Sequence, residues 1–93
     1  MTAGDLSYTV VLLREEDGGY SAHVPALKGC HTQGDDIAEA LLMAEDAIRT
    51  YVAVLMEDGE PIPPDVNTVV FDWAGKKEAL VYRVKAREPA PVA

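Results

Sequence analysis

Cys30 and His31 stand side by side in "LKGCHTQG", and His23 lies a little upstream in "YSAHVP". A nucleophilic cysteine needs a base to form its thiolate, usually with a lowered pKa. Cys30 with His31 or His23 therefore defines one candidate site, that of a thiol-dependent hydrolase. The same three side chains are the candidate soft metal donors. Zinc wants three or four converging ligands, and no CxxC or HxxxH pair supports them here. A second grouping is acidic: Asp35, Asp36 and Glu39. Carboxylates converging on Mg²⁺ would make a metal-dependent nuclease. No P-loop, dinucleotide glycine motif or serine nucleophile motif occurs.

The elements that carry these residues decide between chemistry and structure. "LSYTVVLLRE", residues 6–15, is β-branched and aromatic with no Gly or Pro and reads as a strand. Tyr8, Val10 and Leu12 share one face; Ser7, Thr9, Val11 and Leu13 share the other. Asp17-Gly18-Gly19 is a hairpin signal, and "YSAHVP" returns antiparallel until Pro25, which cannot donate to a ladder. "CHTQ" reads as a short third strand ended by Gly34. Neighbours on a strand point to opposite faces, so His31 cannot reach the Cys30 sulfur. The structural reading makes Cys30 a small buried apolar residue and His31 a solvent-facing one.

The acidic grouping has its own structural reading. Asp36 is an N-cap, and Glu39 three residues later can reach back. Ile37, Leu41, Ala44, Ile48, Tyr51/Val52 and Leu55 recur at helical steps as a core stripe. Leu42, Met43, Ala53, Val54 and Met56 widen it beyond what one small sheet needs. Gly59 and "PIPP" stop the helix. Charged residues interrupt "IAEALLMAEDAIRTYVAVLM", so it reads as an amphipathic helix and not a membrane span. "VNTVVFDW" and "EALVYRVKA" read as further strands joined by "AGKK". In the second, Val81 alternates with Arg83 and Lys85, while Leu80, Tyr82 and Val84 share the other face.

Ninety-three residues make one small domain, expected over residues 1–88 with 89–93 as a flexible tail. A lone cysteine and no signal peptide at "MTAGDLSY" point to a cytoplasmic, reducing setting. Residues 1–75 hold fourteen acids and three bases; residues 76–93 hold five bases and two acids. An acidic body repels phosphate, so direct nucleic-acid binding is not expected, and a basic partner is. Trp73 and Tyr82 near lysines could stack on single-stranded nucleic acid, but packing accounts for them better in so acidic a chain.

One set of residues carries more than any single motif. Tyr8, Glu16, Asp17-Gly18-Gly19-Tyr20, Val24-Pro25, Leu27, Gly29-Cys30, Thr32, Gly34, Glu39-Ala40-Leu41, Ala44, Ala47-Ile48 and Tyr51, followed by "GEPIPP", resembles the HicB family of antitoxins over roughly residues 6–65. The resemblance implies an α+β, partial RNase H-like fold. Its parts are a three-stranded antiparallel sheet, one main helix on one face, and one or two further C-terminal strands. It implies binding and neutralisation of a small, basic, mRNA-cleaving HicA-like toxin, with no catalysis or cofactor of the chain's own. No acid stands at Tyr8, Val10 or Leu12, where a nuclease of that fold would hold metal. Many relatives of that family carry an added DNA-binding domain. This sequence ends at Ala93, which suggests the short, HicB-like form. A homo-oligomer, dimer or tetramer, would bury the surplus apolar helix positions. The sheet face carrying Ser7, Thr9, Val11, Leu13 and His23 is a second possible contact surface. The alternatives are a stand-alone oligomeric binding protein without a toxin partner, or the hydrolase built on Cys30 and His31 or His23.

Overall fold

A computed structural model of the chain describes residues 5–69 and 78–89. Strand β1, Asp5–Arg14, is followed by β2, Tyr20–His23, β3, His31–Gly34, the helix α1, Ile37–Glu57, and β4, Ala79–Arg87. The strands form an antiparallel sheet in the order β3-β2-β1-β4. The α+β expectation is met, with one added strand among the described residues. That strand lies beside β1, with Asp5 opposite Arg87 and Leu13 opposite Ala79. Of "VNTVVFDW", residues 66–69 are not strand, and 70–73 lie outside the described residues, as does the "AGKK" turn.

Local sequence explains the turns. The Glu15 N–H donates to the Gly19 carbonyl and the Gly18 N–H to the Glu15 carbonyl. Gly18 sits at φ 96°, the left-handed corner that a three-residue hairpin loop asks of its glycine. At the start of α1, Asp36 Oδ1 accepts from the Glu39 N–H at 2.8 Å. Glu39 Oε1 reaches back to the Asp35 N–H, one residue before the cap, at 2.8 Å. At the other end, Gly59 takes φ 70°. The Gly59 and Glu60 N–H groups bond the Met56 and Leu55 carbonyls, a Schellman stop.

One face of the sheet meets the helix. Tyr8, Val10, Leu12, Ala22, Val24, Leu27 and Cys30 pack with Ala40, Ala44, Ile48, Val52 and Ala86. The fully buried helix row is thus 40-44-48-52, and Ile37, Leu41 and Tyr51 pack beside it. Its first member is an alanine where the helix begins very close to β3. A Cβ built on Gly34 would stand 2.4 Å from the Ala40 nitrogen. On the opposite face Thr9, Val11 and Leu13 are also buried. That removes most of the second contact surface expected from sequence.

Candidate functional site

The cysteine and the histidines are divided by the sheet. Cys30 faces α1 and is buried, and burial pushes its thiol pKa up. His31 points the other way and is exposed. It lies opposite His23 in the β2–β3 register, with ring centroids 6.0 Å apart. The two imidazoles therefore come together, and the thiol does not join them. Ser21 shares the face of His23; its hydroxyl donates to Glu15 Oε2 at 2.7 Å and lies 3.2 Å from His23 Nε2. With its proton given to a carboxylate, Ser21 is not set up as a nucleophile deprotonated by imidazole. Among the described residues no group of three or more His, Cys, Asp or Glu side chains is placed to hold a metal ion. Tyr8, Val10 and Leu12 lie in the core.

The surface is polarised. Glu16, Asp17, Asp35, Asp36, Glu39 and Asp46 are exposed around the hairpin and α1. Arg83, Lys85 and Arg87 are exposed along β4, on the face away from the helix. Arg49 Nε donates to the Arg87 carbonyl at 3.1 Å and ties α1 to that strand. Two hollows lie between β3 and α1. One, of about 280 Å³, is walled by Asp17, Asp35, Glu39, Met43 and Tyr20. The other, of about 610 Å³, is walled by Cys30, Ala47, Tyr51, Val54 and Leu55. Leu42, Met43 and Val54 on α1 are 66%, 43% and 50% exposed. Among the described residues no helix is long and apolar enough to cross a membrane.

Sequence reasoning missed a clasp that holds the segment after the helix onto β1. The β2 ladder ends at His23, opposite Val11. Two residues further out the register would set Pro25 against Thr9, where β2 has already ended, leaving the Thr9 N–H without a ladder partner. Asp65 fills that place. Its Oδ1 accepts the Thr9 N–H at 2.9 Å and its Oδ2 the Thr9 hydroxyl at 2.8 Å. Burial pushes the Asp65 pKa up, but the Thr9 and Val66 donors and the Arg83 guanidinium outweigh it and hold the pKa below the ordinary carboxylate value. The Tyr8 hydroxyl donates to the Pro63 carbonyl beside it. The signal available in sequence was "PIPPD": prolines that cannot extend the helix, then a lone acid.

A model of the HicB-like antitoxins of bacterial toxin–antitoxin systems matches residues 8–80. The chain belongs to this HicB-like family. It is 46% identical over 59 residues to a UPF0150 protein of Synechocystis sp., covering 63% of this chain and 75% of that one. It is 42% identical over 59 residues to Antitoxin HicB 1 of Photorhabdus laumondii, covering 63% of this chain but 38% of the relative. The fold is similar to a chain in a toxin–antitoxin complex from Streptococcus pneumoniae. There the TM-score is 0.75 at 23% identity, over 89% of this chain and 69% of that one. Within the matched range, Gly18 is a hairpin corner, Cys30 a buried small residue and Gly34 a close helix contact.

Proposed function

We propose that this chain is an antitoxin module that binds and neutralises a small basic HicA-like ribonuclease and catalyses nothing itself. The observation that supports this most is the family match over residues 8–80, together with fourteen acids against three bases in residues 1–75. A negative surface speeds encounter with a basic protein. It also competes with the RNA phosphates that such a protein must approach. The separation of Cys30 from both histidines supports the absence of thiol chemistry. On this reading residues 1–88 act as one binding domain in the cytoplasm. Exposed Leu42 and Val81 support a dimer or tetramer.

The test is co-purification with a small basic protein encoded beside this one, then RNA cleavage by that protein with and without the chain. Stable capture and loss of cleavage at equimolar chain are expected. A neighbour that cleaves RNA equally well in excess chain defeats the proposal. RNA or thiol-dependent hydrolysis by the chain alone favours the hydrolase.

A further inference from the structure

Resting on the toxin-binding reading above, we propose that the outer edge of β3 is where the partner docks. The partner adds an extended segment beside His31–Gly34 and seats alternate side chains against α1.

The direction of each backbone group follows from two hydrogen bonds. The Glu15 N–H donates to Gly19 at 2.8 Å, and the Val24 N–H donates to Cys30 at 3.0 Å. Antiparallel ladders alternate. Ser21 and His23 therefore turn their peptide groups toward β1, and Tyr20, Ala22 and Val24 turn theirs toward β3. On β3 it is Thr32 and Gly34 that face β2. His31 and Gln33 turn N–H and C=O outward, and β3 is the last strand of the sheet on that side among the described residues.

The two edges of the sheet differ. On β4 the outward-facing residues include Arg83, Lys85 and Arg87, long cations of the kind that guard an edge against strand addition. Arg49 already bonds the Arg87 carbonyl. On β3 the sequence is HTQG, with no lysine, arginine or proline.

An incoming strand would also find side-chain sites. Helix α1 runs antiparallel to β3, with Ala40 beside Gly34 and the Tyr51 hydroxyl donating to the Lys28 carbonyl at 2.9 Å. Met43, Ala47, Thr50 and Val54 follow one another at steps of four, three and four, so one helix flank borders the edge. The hollow at the Gly34 end presents Asp35 and Glu39; the hollow at the Cys30 end presents Ala47, Val54 and Leu55. Four strand residues separate the two ends, about 13 Å at the usual rise. Strand addition gives affinity through the main chain and specificity through alternate side chains. The segment that fits carries Lys or Arg at one position and a large apolar residue four positions away on the same face. A second copy of this chain does not fit as well. Its edge would offer only Cys30, just before β3, and Thr32 and Gly34 toward α1, and none is basic or large.

The probe is acetyl-Thr-Arg-Thr-Val-Thr-Leu-Thr-amide, titrated into the ¹⁵N-labelled full chain. The control exchanges Leu with the Thr before it, which turns Leu to the other face. Saturable shifts of the His31 and Gln33 amides and of Ala47 and Val54 are expected, with the control roughly tenfold weaker. Gln33→Pro deletes an outward N–H without touching the β2 ladder, and Ala47→Trp fills the apolar hollow. Each should weaken the peptide roughly tenfold, and Gln33→Pro should leave thermal stability near that of the parent. Both should release the captured basic partner. Shifts confined to other elements, or no shifts, overturn the proposal. So does movement of the His31 and Gln33 amides with chain concentration alone, which would give the edge to a second copy. If both variants hold the basic partner as the parent does, the docking line is wrong while the antitoxin reading stands. If no basic partner is captured at all, the antitoxin reading fails, and the peptide titration still decides the edge.

Discussion

Replacing Asp65 with Ala tests how the segment after the helix is fastened to the sheet. Thr9 is 6% exposed, and its N–H points to the side where β2 has already ended. Without the carboxylate that N–H is buried and unpaired. The Thr9 hydroxyl loses its acceptor as well, but it can rotate while the peptide N–H is fixed, so the peptide group dominates the loss. An unsatisfied buried donor costs about 1–3 kcal/mol, and a hydrogen bond to a charged group contributes about 1.5–3 kcal/mol. The Arg83 partner adds little, because its side chain is 68% exposed and 3.8 Å away. We therefore expect Asp65→Ala to cost about 2–3 kcal/mol. That is a fall in Tm of roughly 10–20 °C for a domain of this size. Urea unfolding followed by far-UV circular dichroism at several pH values measures it. Held below the ordinary carboxylate value in the fold, Asp65 contributes its full stabilisation above the unfolded-state pKa of about 3.9. It loses that stabilisation as pH falls through the lower folded value. The gap between parent and variant should therefore be widest near neutrality and shrink in acid. A difference under about 0.5 kcal/mol, the usual range for a surface substitution, would refute the clasp. So would a gap that does not change with pH.

Gly34→Ala should destabilise the chain by about 3 kcal/mol or displace the start of α1, since the new methyl meets backbone that cannot swing aside; thermal melts and amide shifts at residues 36–41 check this. Cys30 should react with a neutral thiol reagent more slowly than a free thiol at pH 8, because burial raises its pKa and limits access; fast modification of the folded chain would revive the thiol alternative.

Features set by neighbouring residues were legible in the sequence. The Asp17-Gly18-Gly19 corner, the Asp36 cap and the Gly59 stop each need only a short stretch of chain, and each occurs as read. The assignment of Cys30 inside and His31 outside followed from strand alternation together with the apolar character of a cysteine side chain. What escaped depends on parts far apart in the chain. Periodicity favoured Leu41 over Ala40 for the core stripe, since alanine carries little hydrophobic signal. Only the approach of Gly34 shows why a methyl belongs there. The expected contact surface at Thr9, Val11 and Leu13 is buried, and a period-two pattern cannot say whether a second face is covered. Asp65 was one acid among many until the end of β2 set the need it meets.

The place of β4 also governs when the sheet can close. β1 sits inside the sheet, and one whole side of it is paired with the last described strand. During synthesis the hairpin of β1 and β2, and then α1, leave the ribosome before that strand exists. Until then the "YTVVLL" segment has a bare side of peptide groups and is the part of the nascent chain most prone to mispairing. Closing so long a loop costs entropy before any contact repays it, so the final zipping of the sheet should be the slow step of folding.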